Sequence, residues 1–305
     1  MPAATDSRPS LTIVTPTFNN EAVLRRSVDG WRRFGGSAIE VIVIEDGCRD
    51  GTPAYLEAEQ ERPWGRAHLR WAHEDDAHEL RCTNHGFSEA RGALIGAWQD
   101  DMFLQAPWLV PEIVATFDAY PEIGLLSLSR GLLCLPCDDP IETWQDLSDW
   151  KRLQSTIGVG PSNWINLQEV DAVVRPWIVR RACLDTAGLL DEAFRPTEWD
   201  EADLAFRIRE AGWKVATYGF ERLGAYVHLG STTLGTPYAA YYGRVLRNGR
   251  LFHARWDAVI RRDHPRLRRS WRRRATTSGW MATAAAMARA GVLRLSGARA
   301  GAGVA

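Results

Sequence analysis

Short apolar runs alternate with amphipathic stretches through most of the first 230 residues. Leu11 to Thr15 is a compact apolar segment of strand length, and Asn19 or Asn20 then opens a stretch in which Leu24, Val28 and Trp31 recur at i, i+4 and i+7. Ile39 to Ile44 is β-branched and ends at Glu45-Asp46-Gly47, so the opening predicts strand, helix, strand. The pattern continues with a helix from Asp50 to Gln60, a strand at Leu69 to Ala72, a short helix over Asn84 to Gly92 and an apolar segment from Ala93 to Trp98. Pro107 starts a helix carrying Leu109, Ile113 and Phe117, and Ile123 to Leu128 follows as a strand. Gly131 to Glu169 is irregular and rich in Trp, Asp and Pro, which marks an insertion over the site. Order resumes with Val170 to Val179, a helix from Arg181, a turn at Gly188, a helix from Asp200 to Ala211 stopped by Gly212, and strands at Lys214 to Tyr218 and Ala225 to His228. Strands alternating with helices predict an α/β fold, a mainly parallel sheet flanked by helices on both faces.

The composition, 45% hydrophobic and 25% charged over 305 residues, fits a globular chain and excludes wholesale disorder or a polytopic membrane protein. Five scattered cysteines argue against a disulfide framework, and Met1 to Ser10 lacks the apolar core of a signal peptide, so the expected site of action is cytoplasmic. The net charge of −1 hides an asymmetry. From residue 261 onward there are eleven Arg and one Asp, a net of +10, which leaves −11 on the first 260 residues.

In open parallel sheets, ligands bind beyond the carboxyl ends of the strands. Two acidic clusters fall there, Glu45-Asp46 and Asp100-Asp101. Adjacent carboxylates in a polar crevice repel unless a cation compensates, and a hard divalent ion that also bridges phosphates suits such oxygens.

Four motifs occur in the order seen in family 2 nucleotide-sugar glycosyltransferases: Val14 to Asn19 (VTPTFN), Val43 to Thr52 (VIEDGCRDGT), Asn84-His85-Gly86 with Ala90-Arg91-Gly92, and Gln99-Asp100-Asp101. Gly188 to Glu192 and Trp199 to Leu204 extend the match, so the chain resembles that family over about residues 11–230. The resemblance implies a GT-A fold, Rossmann-like in its nucleotide-binding half. It implies a nucleotide-diphospho-sugar donor (a UDP-, GDP- or dTDP-sugar), a Mg²⁺ or Mn²⁺ cofactor and inversion at the anomeric carbon. Carried onto this sequence, Pro16, Thr17 and Asn19 line the nucleotide end, and Asp46 accepts a hydrogen bond from the base. Asp100 faces the ribose or metal-bound waters, and Asp101 ligates the metal. Arg81 lies near where relatives place a basic residue over the nucleotide, with a surface salt bridge as its alternative. His228, ending an apolar run, is placed to reach the metal or the diphosphate.

Inverting transfer needs a carboxylate to accept the proton of the attacking hydroxyl. The family supplies it from a Glu-Asp pair opening a late helix, whereas this chain has the reversed order Asp200-Glu201. Glu201 lies three residues before Leu204 and seven before Ile208, on the inward stripe, and is the favoured base. Asp200 is the second candidate and also suits a helix N-cap, while Asp203 and Arg207 form an outward i, i+4 pair. Trp199 is the candidate acceptor platform among several Trp near the site, because aromatic faces pack against sugar C–H groups. The Cys134-Leu135-Pro136-Cys137 segment has no second cysteine pair at zinc spacing and is set aside.

The expected organisation is a disordered segment over 1–10, a catalytic domain over 11–255 divided into a nucleotide-sugar half (11–130) and an acceptor half (131–255), and a basic helical tail over 256–305. Eight Arg with Trp271 between Arg261 and Arg274, then fourteen residues from Ala275 to Ala288, are too short to span a bilayer. The tail suits peripheral contact with the anionic inner face of the cell membrane and thus a lipid-linked acceptor, alongside glycan or small-molecule hydroxyls. No nucleic-acid recognition motif accompanies the basic stretch, and the acidic body repels phosphate chains, so no nucleic-acid partner is expected. A nucleotidyltransferase would open with a glycine-rich phosphate loop after the first strand, which Pro16 to Asn20 lacks. A non-catalytic carbohydrate-binding or scaffold protein on the same fold is the remaining alternative.

Overall fold

The computed structural model describes residues 9–134, 136, 148–149, 155–159, 166–219, 223–230 and 238–265. Most of the basic tail, the 1–8 segment, Cys137, and Trp144, Trp150 and Trp164 of the insertion lie outside them. In chain order the elements are β1 (Leu11–Thr17), α1 (Glu21–Phe34), β2 (Ile39–Asp46), α2 (Thr52–Gln60), α3 (Pro63–His68), β3 (Leu69–Glu74), α4 (His78–Glu89), β4 (Leu94–Ala97), β5 (Met102–Leu104), α5 (Leu109–Ala119) and β6 (Ile123–Ser127). They continue with β7 (Gly131–Cys134), β8 (Ser148–Asp149), β9 (Ser155–Val159), β10 (Asn166–Glu169), β11 (Ala172–Val173), β12 (Trp177–Arg180), α6 (Arg181–Ala187), α7 (Asp200–Glu210), β13 (Lys214–Thr217), β14 (Tyr226–His228) and α8 (Tyr238–Asp263). The chain divides into two compact units, one of residues 1–133 and 150–229, the other of 134–149 and 230–305. No helix among the described residues is long and apolar enough to cross a membrane.

Among the described residues, nine strands form the main sheet in the order β3-β2-β1-β4-β12-β6-β13-β10-β9. The pairings of β1 with β2 and β4, of β2 with β3 and of β13 with β6 are parallel, while β12 and β10 run against their neighbours. Seven strands therefore point one way and two the other, a mainly parallel mixed sheet. β2 is buried along its whole length, as a central strand covered on both faces must be. α4 packs on β1 and β2, and α7 on β11, β13 and α6. The close approach of α4 to β1 requires Gly86, because a Cβ there would fall inside contact distance of the stiff Val14 side chain. Gly86→Ala is expected to lower stability by about 1–3 kcal/mol, read from the urea midpoint; an unchanged midpoint would refute this account of the α4–β1 packing.

Two expected elements differ. The helix expected over Asn84 to Gly92 begins six residues earlier, at His78. The strand expected at Ala225 to His228 does not extend the main sheet: β14 pairs antiparallel with β5 in a separate two-stranded ribbon.

At the sheet edge where the parallel strands begin, arginines and one carboxylate bind loop and strand backbone. Arg181 donates to the carbonyls of Ala90 (2.6 Å) and Gly92 (2.8 Å), and Arg180 to those of Ile123 (2.7 Å) and Tyr120 (3.3 Å). Glu40 accepts from the Thr12 hydroxyl (2.8 Å) and the Arg91 backbone N–H (3.0 Å).

Candidate active site

The opposite edge, where β1, β2 and β4 end, gathers the chemistry. Parallel pairing of β1 with β4 brings the residues after both strands together. Thr17 Oγ1 donates to Asp100 Oδ2 at 2.7 Å, and Asn20 Nδ2 donates to the same oxygen at 3.0 Å. Asn20 is the N-cap residue of α1, yet its side chain makes no capping bond, being committed to Asp100. The α1 N-terminus is served instead by Asp50, whose carboxylate accepts from the backbone of both Glu21 and Thr52 at 3.0 Å. Burial pushes the Asp100 carboxyl up to about 6 against the opposing bonds from Thr17 and Asn20, with adjacent Asp101 adding to the rise.

The turn holding Asp100 and Asp101 is tied at its ends. Met102 O accepts from Trp98 Nε1 (2.9 Å) and Ser27 Oγ (3.0 Å), and Trp98 stacks edge-on between Trp31 and Tyr226, with ring centroids 4.8 and 5.4 Å away. Pairing of β14 with β5 sets His228 opposite Met102 and puts His228 Nε2 3.4 Å from Asp101 Oδ1. Asp101 itself is buried. Sequence reasoning thus named two residues, 127 positions apart, that the fold brings into contact.

At the end of β2, Asp46 accepts from the backbone N–H groups of Ala77 (2.6 Å) and His78 (2.9 Å), one on each oxygen, so it caps α4 from a distance. Glu45 accepts from Cys48 N and contacts His73 Nδ1 at 2.6 Å; the His73 imidazole is raised chiefly by that bond. Asn19 Oδ1 accepts from Arg49 N at 2.6 Å, fixing the β1 and β2 loops against each other. Pro16 is partly exposed, and Phe18, between Thr17 and Asn19, is 59% exposed. Arg81 lies on the outer side of α4, its guanidinium 2.9 Å from Glu192 in an exposed ion pair.

A second acidic group centres on Arg175, in the connection between β11 and β12. Its Nη2 lies 2.9 Å from Asp200 Oδ2, and its Nη1 lies 3.1 Å from both Glu201 Oε2 and Glu79 Oε1. Glu79 also accepts weakly from Gln99 Nε2 at 3.4 Å, next to Asp100. Burial raises Asp200, and it pushes Glu201 up to about 8, opposed by Arg175 and assisted by Asp200, Glu198 and Glu79. Burial works against the Arg175 charge, but Glu201, Glu79 and Asp200 outweigh it and raise its pKa. Asp200 is not the N-cap: Trp199 holds that position in a left-handed conformation (φ 67°), and Asp200 is the first helical residue. Asp203 is fully buried rather than outward, although it bonds Arg207 at 2.9 Å as the spacing predicted.

Among the described residues, the non-glycine residues with positive φ are Asn19, Asp76, His78, Glu198 and Trp199, in the loops of this edge or, for His78, at the first residue of α4. Each such conformation costs on the order of 1–3 kcal/mol, and such residues concentrate where function over-determines the backbone.

Among the described residues there is no group of three or more His, Cys, Asp or Glu able to enclose a metal ion. The Asp101 carboxylate and the neighbouring His228 imidazole are donors that suit an ion taking one or two protein ligands and completing its shell with water and phosphate oxygens, as Mg²⁺ and Mn²⁺ do. Arg175 and Glu79 escaped the sequence reading, which took Asn20 only as a helix opener and Phe18 only as part of the Val14 to Asn19 motif. The available signals were a lone arginine inside the apolar Val170 to Val179 stretch and an aromatic in an otherwise polar Thr-Phe-Asn-Asn turn.

No protein among those of curated function matches the chain. Among solved structures, GalNAc-T7 with UDP, GalNAc and Mn²⁺ superposes with a TM-score of 0.54 at 14% identity, over 69% of this chain and 42% of that one. S. aureus TarS residues 1–349 in complex with UDP-GlcNAc gives 0.49 at 13% identity, over 69% of this chain and 56% of that one. The chain thus spans little more than half of TarS 1–349 and less than half of GalNAc-T7. The family model described as glycosyl transferase family 2 matches residues 12–127, the stretch that runs from β1 through β6 and includes Asp46, Asp100 and Asp101. That stretch, rather more than a third of the chain, is similar to glycosyl transferase family 2, and the sheet with its flanking helices has the GT-A fold.

Proposed function

We propose that the protein transfers a sugar, with inversion, from a nucleotide-diphosphate donor to a hydroxyl of a glycan, lipid-linked or small-molecule acceptor, and that it uses Mg²⁺ or Mn²⁺. The observation that carries this reading is the buried Asp100-Asp101 turn facing His228 at the end of the parallel strands, with a second carboxylate pair, Asp200-Glu201, opening α7. Pro16, Thr17 and Asn19 line the nucleotide, Asp46 faces the base, and Asp100 faces the ribose; Arg81 would have to leave Glu192 to join them. Asp101 and His228 hold the metal, which when bound supplies positive charge to the departing diphosphate. Trp199 offers its ring to the acceptor.

Glu201 takes the proton of the acceptor hydroxyl as that oxygen bonds to the anomeric carbon and the bond to the diphosphate breaks. What supports Glu201 over Asp200 is access: the Asp200 side chain is fully enclosed, whereas that of Glu201 keeps 14% of its surface. The nucleotide seen with GalNAc-T7 makes UDP the first donor nucleotide to test. In a thermal-shift screen, UDP, GDP or dTDP at about 100 times its Kd should raise Tm by roughly 5–10 °C with Mn²⁺ and not without it. Indifference to all three in the presence of metal would refute the donor class.

A further inference from the structure

Arg175 is the centre of a charge imbalance. One guanidinium, its side chain only 9% exposed, faces carboxylates from two separate helices: Glu79 on α4, and Asp200 and Glu201 on α7. Glu198, just before α7, adds a further negative charge to the surroundings of Glu201. Among the described residues, the Thr197 hydroxyl also lies against the guanidinium, 3.5 Å from Nη1. The nitrogens are not equivalent. Nη2 is paired with Asp200, while Nη1 is shared by Glu79 and Glu201 at the same distance.

A guanidinium is the side chain suited to such an arrangement, because it stays charged and presents a rigid planar fork. A charge buried among three carboxylates also sets how tightly each of them holds a proton. The Asp200 side chain is enclosed and tied to Nη2, whereas Glu201 shares Nη1 with Glu79 and keeps some exposed surface.

We propose that Arg175 is the positioning residue of the proton-accepting pair: Nη2 fixes Asp200 as a stationary counter-charge, and Nη1, divided between Glu79 and Glu201, sets the proton affinity and aim of Glu201. This rests on the transferase reading, in which Glu201 is the base. It adds that Arg175 and Glu79 act on Glu201 in opposite directions. Removing the cation makes Glu201 hold its proton more tightly, and removing the competing carboxylate makes it hold its proton less tightly. The burial-raised proton affinity of Glu201 agrees with a cluster in which one cation is outnumbered.

The test uses the full chain and two readouts: the pH dependence of kcat/KM for transfer, and the ¹³C titration of the Glu201 carboxyl without substrates. In Arg175→Gln both midpoints should move to higher pH by roughly 1–3 units, and in Glu79→Gln to lower pH by about 1 unit. Arg175→Lys retains a charge on one nitrogen, cannot serve two helices at once, and should fall between wild type and Arg175→Gln. If Arg175→Gln does not fold, the Lys and Glu79→Gln variants carry the comparison. Variants that lose stability and activity while both midpoints stay at the wild-type pH, or that move them in the same direction, would show Arg175 to be only a structural pin and overturn the proposal. A wild-type chain that neither binds nor consumes any nucleotide sugar would overturn the transferase reading and this one with it. That outcome is seen before any variant is made, so the two failures are distinguishable.

Discussion

Asp101→Ala is expected to lower the rate of sugar transfer by about 10³ or more, the scale of losing several kcal/mol of charge stabilisation on a leaving group. The side chain is buried, lies 3.4 Å from His228 and sits in a turn tied by Ser27 and Trp98. Removing it leaves the surrounding bonds to Met102 O in place, so the variant should fold. The diagnostic is the pairing of two measurements. Thermal shift by nucleotide with Mn²⁺ should vanish, while the unliganded Tm stays near that of wild type. Wild-type turnover by Asp101→Ala would remove the metal assignment, and lost folding would have to be separated from lost chemistry with Asp101→Asn, which keeps the shape.

Glu201→Gln is expected to reduce kcat by about 10²–10⁴ with donor binding preserved, the range for a lost general base. The pH dependence supplies an independent check. A base must be ionised, so wild-type kcat/KM should rise with pH through a midpoint near 8, where burial holds the Glu201 carboxyl, and the residual activity of the Gln variant should lack that limb. Stability should move the other way. Because the folded-state pKa lies above the ordinary carboxylate value, proton binding by Glu201 favours the folded state fully below that ordinary value, and the contribution is lost as pH rises through about 8. At pH 9 the neutral glutamine should therefore match or exceed wild-type stability, while activity is lost. A variant that keeps its activity at pH 9 would transfer the base assignment away from this residue.

Much of the frame was legible because it is written locally. The apolar runs of β1, β2 and β6, and the i, i+4 stripe of α1, carry their own periodicity. Carboxylates following apolar runs also announced Asp46, Asp100 and Asp101 at one sheet edge. What stayed hidden depends on partners distant in sequence. The start of α4 follows the acidic Glu74-Asp75-Asp76 segment, which resembles a loop, and its first N–H groups are capped by Asp46, 31 residues upstream of Ala77. Asn20 looks like an ordinary cap until Asp100 takes its amide. The strand at β14 was legible but its partner was not, because joining a three-residue ribbon rather than the main sheet leaves no mark in the strand's own pattern. Arg175 gave no signal at all beyond being charged in an apolar stretch; its meaning comes from two helices that converge on it.

Side chains tie backbone at both ends of the sheet, but strained backbone lies at only one of them among the described residues. Where the parallel strands begin, Arg180, Arg181 and Glu40 bind backbone atoms directly, and none of those bonds involves a residue of the far loops. Where they finish, five side-chain-bearing residues hold left-handed backbone. The side chains that tie the strand starts therefore act on the register of the sheet, whereas the left-handed backbone is kept to the end that carries Asp46, Asp100 and Asp101.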